Sequence, residues 1–147
     1  MVRLVNRRTG QTIATAVEIA DTRRSRRRGL LGRDAMDPSA ALILTPCCSI
    51  HTAHMRFAID AVFVDRRGHV LRIVNEMPPW RAAWCIRAYA VVELAAGTLR
   101  SRELRVDDAV YLVPVRGAAE SDSGEPALSS ASNSLRTTAA NPAWLGS

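Results

Sequence analysis

The stretch that decides the fold is CCSIHTAHMRFAIDAVFVDRRGHVLRIV, residues 47–74. Its second half holds two runs rich in β-branched residues, Ala61 to Asp65 and Val70 to Asn75, on either side of the Gly-containing turn DRRGHV. That pattern predicts a β-hairpin. The first half, Ser49 to Met55, also reads as a strand. Working outward, further strands are expected at Val2 to Val5, Thr12 to Ile19, Ala41 to Thr45 and Ala109 to Val115, with a run from Ala83 to Leu94 that has room for a break. NRRTGQT reads as a second hairpin turn.

Two stretches look helical. DTRRSRRRGLLGRDAM offers Asp21 or Thr22 as an N-cap and Gly32 as a stop, and ELAAGTLRSREL can form a turn or two. Many short strands with two small helices predict a mainly β (α+β) fold, a compact β-sandwich or partly closed barrel of mostly antiparallel strands. A parallel α/β sheet would need longer crossover helices.

The 147 residues suit one domain, long enough to bury a core without staples. Residues 1–117 carry the strand pattern. Residues 118–147 are rich in Ser, Ala, Gly, Pro and Asn and read as a disordered low-complexity tail, in which Trp144 is a lone aromatic. The tail's three acids and one Arg give −2 of the chain's net +6, which places +8 on residues 1–117. All 20 basic residues are Arg, a uniformity that reads as coding bias and weakens the charge as a sign of nucleic-acid binding. No apolar run is long enough to cross a bilayer, and the N-terminus lacks the apolar segment of a secretion signal. A cytoplasmic monomer without membrane contact is the expectation. Three cysteines, two of them adjacent, fit reduced thiols better than a disulfide framework.

RGLLGRDAM, the 47–74 stretch and AVVELAAGTLRSRELRVDDAVYL together resemble the domain of unknown function 192 family. The likeness runs from about residue 10 to about residue 115. It rests on Gly29, Leu30, Leu31 and Arg33, on Met55, Ile59 and Asp60, and on Glu93, Leu94, Ala96 and Gly97. Pro46, Cys47, Ser49, Ile50, His51 and Thr52, with Pro79, Trp80 and Arg81, match a subgroup. The chain departs from the family at Ala58, commonly Pro, and at Asp107, which stands where Gly is common. The resemblance implies a compact β-rich domain and no established reaction.

Three groups of residues could carry chemistry. Cys47 with His51 or His54 is the one economical thiol–base pair, but no orienting group is evident beside it. In an extended strand Cys47 and His51 would stand roughly 13 Å apart, too far for one zinc ion. The expectation is therefore no metal, no cofactor and no catalytic residue, with Cys47 and His51 kept as weak catalytic candidates. The second group is Met55, Arg56, Asp60, Trp80 and Arg81: alternation puts Arg56 and Asp60 on one strand face, over which the MPPWR loop could fold to hold a small ligand. The third is Arg23, Arg24, Arg27 and Arg28, which stack a turn apart on a helix and would welcome an anion. The favoured reading is a non-enzymatic module that binds a small ligand or a protein. The alternatives are a Cys-His thiol hydrolase and an Arg-mediated nucleic-acid or anion binder.

Overall fold

The computed structural model describes residues 2–115 and 143–145. The most apolar runs of the sequence, β4 (Ala40–Leu44), β6 (Ile59–Val64) and β9 (Ala90–Ala95), form the middle of a five-stranded sheet. Its order is β3-β4-β9-β6-β7, with β3 (Ala16–Ala20) and β7 (Val70–Met77) at the edges. All its pairings are antiparallel except β3 with β4, which is parallel.

The middle strands lack polar alternation because both their faces are covered, so successive side chains enter two different cores. Ala41, Ile43, Val62, Val64, Val92 and Leu94 face a three-stranded sheet of order β10-β1-β2. That sheet is built from β1 (Val2–Asn6), β2 (Thr12–Ala14) and β10 (Val110–Pro114), and it contributes Leu4, Ile13 and Val110 to the shared core. Leu42, Leu44, Ile59, Ala61, Phe63 and Val91 look the other way. Leu30, Met55, Met77 and a two-stranded ribbon of β5 (Ser49–His51) and β8 (Ala82–Trp84) cover that second face. Phe63 is fully buried there, a contribution of about 2–3 kcal/mol. The fold is thus the expected β-sandwich-like α+β arrangement, and among the described residues no sheet closes into a barrel.

Both hairpin turns form. β6 and β7 are joined through Asp65, whose Oδ1 accepts the backbone N–H groups of Arg67 and His69, and β1 pairs antiparallel with β2. Gly68 has φ +81° and lies so close to β10 that a Cβ would collide with the Val110 carbonyl. Beside it Trp144 and Leu145, in the 3₁₀ turn Ala143–Leu145, are buried in the first core. The remainder of the tail expected at 118–147 lies outside the described residues.

Two expected elements change, and a third takes the break it had room for. The run Thr12–Ile19 is two strands in two sheets, split where the N–H groups of Thr15 and Ala16 both bond the Ser39 carbonyl. The run Ala83–Leu94 breaks into β8 and β9. The strand expected from Ser49 to Met55 ends at His51. The Thr52 hydroxyl donates to the Pro78 carbonyl and accepts the Arg81 N–H, its own carbonyl receives the N–H groups of Met55 and Trp80, and His54 takes φ 63°. The chain therefore turns back at Thr52, which puts an end to face alternation between residues 52 and 58.

The first helix, α1 (Arg23–Arg28), is capped by Thr22, whose side chain and that of Ser25 bond each other's backbone N–H. It ends at Gly29 rather than Gly32, and Thr98–Arg100 supplies a 3₁₀ turn in the second expected stretch.

Candidate functional site

Between α1, β5 and β9 lies a cavity of about 300 Å³. Arg26, Arg27 and Arg28 line it from α1, and Gly29 and Leu30 follow directly. Cys47 enters from the β4–β5 connection, Ser49, Ile50 and His51 from β5, and Met55 from the turn after it. Glu93 joins them from the middle of β9.

Glu93 sits opposite Leu42 of β4 and Ala61 of β6, on the face otherwise occupied by the second apolar core. It is 4% exposed, and its Oε2 has no hydrogen-bond partner among the described residues. Burial raises its pKa from 4.5 to about 7, opposed only partly by the positive charge of Arg33. A carboxyl in such surroundings is half-protonated near neutrality, able to donate or accept, and lacks the partner that buried polar groups ordinarily have.

The thiol of Cys47 is half-buried and donates to the Ser49 carbonyl at 3.1 Å. Burial pushes its pKa up, the Ser49 bond and Arg26 resist, and the nearby Glu93 adds to the rise. His51 is exposed at the cavity edge, and among the described residues the thiol makes no bond to it. The two weak catalytic candidates thus share a cavity without forming an activated pair. No group of three or more His, Cys, Asp or Glu side chains among the described residues could hold a metal ion.

The expected ligand face around Arg56 and Asp60 does not assemble. Of its five residues, Met55 alone lines the cavity. Arg56 is exposed and pairs with Asp34. Asp60 is 1% exposed and structural: its carboxylate accepts the Glu76 and Leu99 N–H groups at 2.7 and 3.0 Å, pinning β7 and the 3₁₀ turn to β6. Trp80 is 61% exposed and meets His54 edge-on at 4.6 Å, while the Arg81 guanidinium donates to the Trp80 carbonyl. The cause is the turn at Thr52, which removes the alternation that would have paired Arg56 with Asp60.

The Arg run is divided by the short helix. Arg23 and Arg24 are exposed and do not line the cavity, Arg26 is engaged by the Asp21 and Thr45 carbonyls at 2.8 and 3.2 Å, and Arg27 and Arg28 remain at the cavity mouth. Among the described residues neither Arg27 nor Arg28 makes an ion pair. Glu93 was missed as a site residue because it entered only as part of a motif. The available signal was a lone acid inside the apolar run AVVELA.

A second cavity, about 320 Å³ and more open, is lined by Asp65, Arg66, Arg67, Arg87, Ala88 and Tyr89. Its one acid already accepts two backbone N–H groups, and Arg66 lies over the Tyr89 ring at 4.3 Å.

Comparison with known proteins gives a family and a fold. The DUF192 family model, described as "Uncharacterized ACR", matches residues 4–112. No curated protein matches the chain. A crystal structure of a candidate transcription regulator from Sinorhizobium meliloti 1021 is 22% identical with TM-score 0.65, covering 74% of this chain and 89% of that one. A crystal structure of a protein of unknown function from Novosphingobium aromaticivorans DSM 12444 is 19% identical with TM-score 0.64, covering 74% and 81%. No helix among the described residues is long and apolar enough to cross a membrane.

Proposed function

The chain belongs to the DUF192 family, and we propose that this domain is a small-ligand-binding module whose site is the cavity floored by Glu93. One observation carries the reading: a carboxyl placed in the middle of an apolar strand, shielded from solvent, opens on a cavity with its Oε2 unpartnered among the described residues. Leaving such an oxygen unsatisfied costs about 1–3 kcal/mol, a penalty that a hydrogen-bond donor on a ligand removes. The cavity is at the small end of ligand pockets, roughly 300–1,000 Å³, and combines apolar walls with a few polar groups. The second cavity offers no unsatisfied group of this kind.

The thiol-hydrolase reading gains no support from a Cys47 thiol that burial keeps protonated and that bonds a backbone carbonyl. The nucleic-acid reading draws only on exposed Arg side chains, and the regulator neighbour at 22% identity lends fold rather than role. Ligand-detected NMR against a library of small polar metabolites tests the proposal. Hits should compete for one site and weaken at least tenfold in Glu93→Gln. Hits that bind Glu93→Gln as tightly as the native protein would move the site elsewhere.

A further inference from the structure

The two ends of the cavity carry opposite demands. At its floor Glu93 has no donor on Oε2 among the described residues. At its mouth Arg27 and Arg28 carry two guanidinium charges with no ion pair among the described residues, while their neighbour Arg26 is already spent on carbonyls. Between them the walls are Leu30, Leu44, Ile50 and Met55. The other charged or titratable groups facing Glu93 are Arg33 from the loop after α1, Cys47 from the β4–β5 connection and His51 from β5, and Leu42 and Ala61 flank it on the neighbouring strands.

A bare cation entering this cavity passes the Arg side chains of the mouth, which repel it. A bare anion that enters satisfies the mouth but meets Glu93 at the floor. A molecule with a positive donor at one end and a negative group at the other satisfies both, and an apolar body matches the walls. Resting on the ligand-binding reading above, we infer that the ligand is a small zwitterion of the amino-acid type with an apolar side chain, its ammonium group on Glu93 and its carboxylate against Arg27 and Arg28. Charge-assisted hydrogen bonds then form at both ends, and the roughly 300 Å³ of the cavity accommodates a molecule of that size.

The test uses the full chain at pH 8, where Glu93 is mostly ionised, and calorimetric or NMR titration with leucine, isoleucine, valine and methionine. For each, the matching amine lacking the carboxylate and the matching acid lacking the ammonium group are titrated beside it. At least one amino acid should bind roughly tenfold or more tighter than both of its single-charge analogues. Glu93→Gln, nearly isosteric, should abolish the preference over the acid, and Arg27→Ala/Arg28→Ala, on an exposed helix face, the preference over the amine. Circular dichroism reports that each variant is folded.

An amine that binds as tightly as its amino acid, with the Arg variant silent and Glu93→Gln weakened, overturns the zwitterion and leaves the Glu93 site standing. An acid that binds best, insensitive to Glu93→Gln, overturns both. Absence of binding by every member of the panel overturns the zwitterion, and the wider metabolite screen then decides the ligand-binding reading separately.

Discussion

Replacing Glu93 by Gln should stabilise the protein in alkaline solution and leave it almost unchanged in acid. Burial raises the Glu93 pKa from 4.5 to about 7, with Arg33 pulling weakly the other way. Because the folded value is the higher one, the native chain keeps a proton between pH 4.5 and 7 that the unfolded chain has lost, so stability falls as pH rises through that window. The contribution is fully present below about pH 4.5 and gone above about pH 7. A span of about 2.5 pH units at 1.36 kcal/mol per unit amounts to roughly 3 kcal/mol. Gln cannot ionise and escapes this loss. Urea unfolding of both proteins across pH 4.5 to 8.5 should therefore show a stability difference near zero at the acid end, growing to roughly 3 kcal/mol at the alkaline end. In thermal unfolding the alkaline difference is on the order of 10 °C. Every other ionisable side chain occurs in both proteins, so the difference isolates position 93. An offset equal at every pH, or a variant weaker than the native protein at pH 8.5, would refute the placement of this carboxyl in an apolar cavity.

Three further outcomes follow from the same structure. Asp107 is exposed and holds φ 77°, a conformation that suits Gly, so Asp107→Gly should gain up to about 1 kcal/mol in chemical denaturation; a loss would mean that the Asp side chain supports the turn. The Arg8 guanidinium, donating at 2.7 Å, holds the Asp108 carboxyl down at about 2, helped by Arg105 N–H and Asn6. This stability is present above the ordinary value of 3.8 and lost as pH falls through about 2, so Asp108→Asn should cost about 1–3 kcal/mol at pH 7, with the deficit closing near pH 2. A deficit that persists undiminished at pH 2 would contradict the ion pair. Under iodoacetamide at neutral pH the exposed Cys48 should be alkylated first and Cys47 more slowly than free cysteine, read by peptide mass spectrometry; a Cys47 faster than free cysteine would restore the thiol-enzyme reading.

The parts of this fold that were legible in the sequence are those fixed by local chemistry. DRRGHV announced its hairpin because Asp and Gly are the residues that such a turn needs, and Thr22 announced α1 because a hydroxyl there can cap the helix. Asp107 was visible as a substitution at a Gly position, and its positive φ is the physical content of that departure. What escaped was fixed by partners far along the chain. Nothing in CCSIHTAHM shows that the Thr52 hydroxyl bonds the Pro78 carbonyl, 26 residues on, yet that bond accompanies the end of the strand and the dissolution of the face expected to hold Arg56 and Asp60.

The same distinction explains the site. Cys47, His51, Met55, Arg27 and Arg28 were each noticed for their own chemistry but assigned to three separate groups, because an extended strand stands Cys47 and His51 roughly 13 Å apart and local spacing puts the Arg pair on a helix of its own. The turn at Thr52 and the early end of α1 at Gly29 instead fold two of those segments over β9. There they meet a Glu that periodicity assigns to the core by position and that its charge makes foreign to it. A carboxyl at an inward position of a fully covered strand is a local conflict between pattern and chemistry, and such conflicts concentrate where a structure does something other than fold.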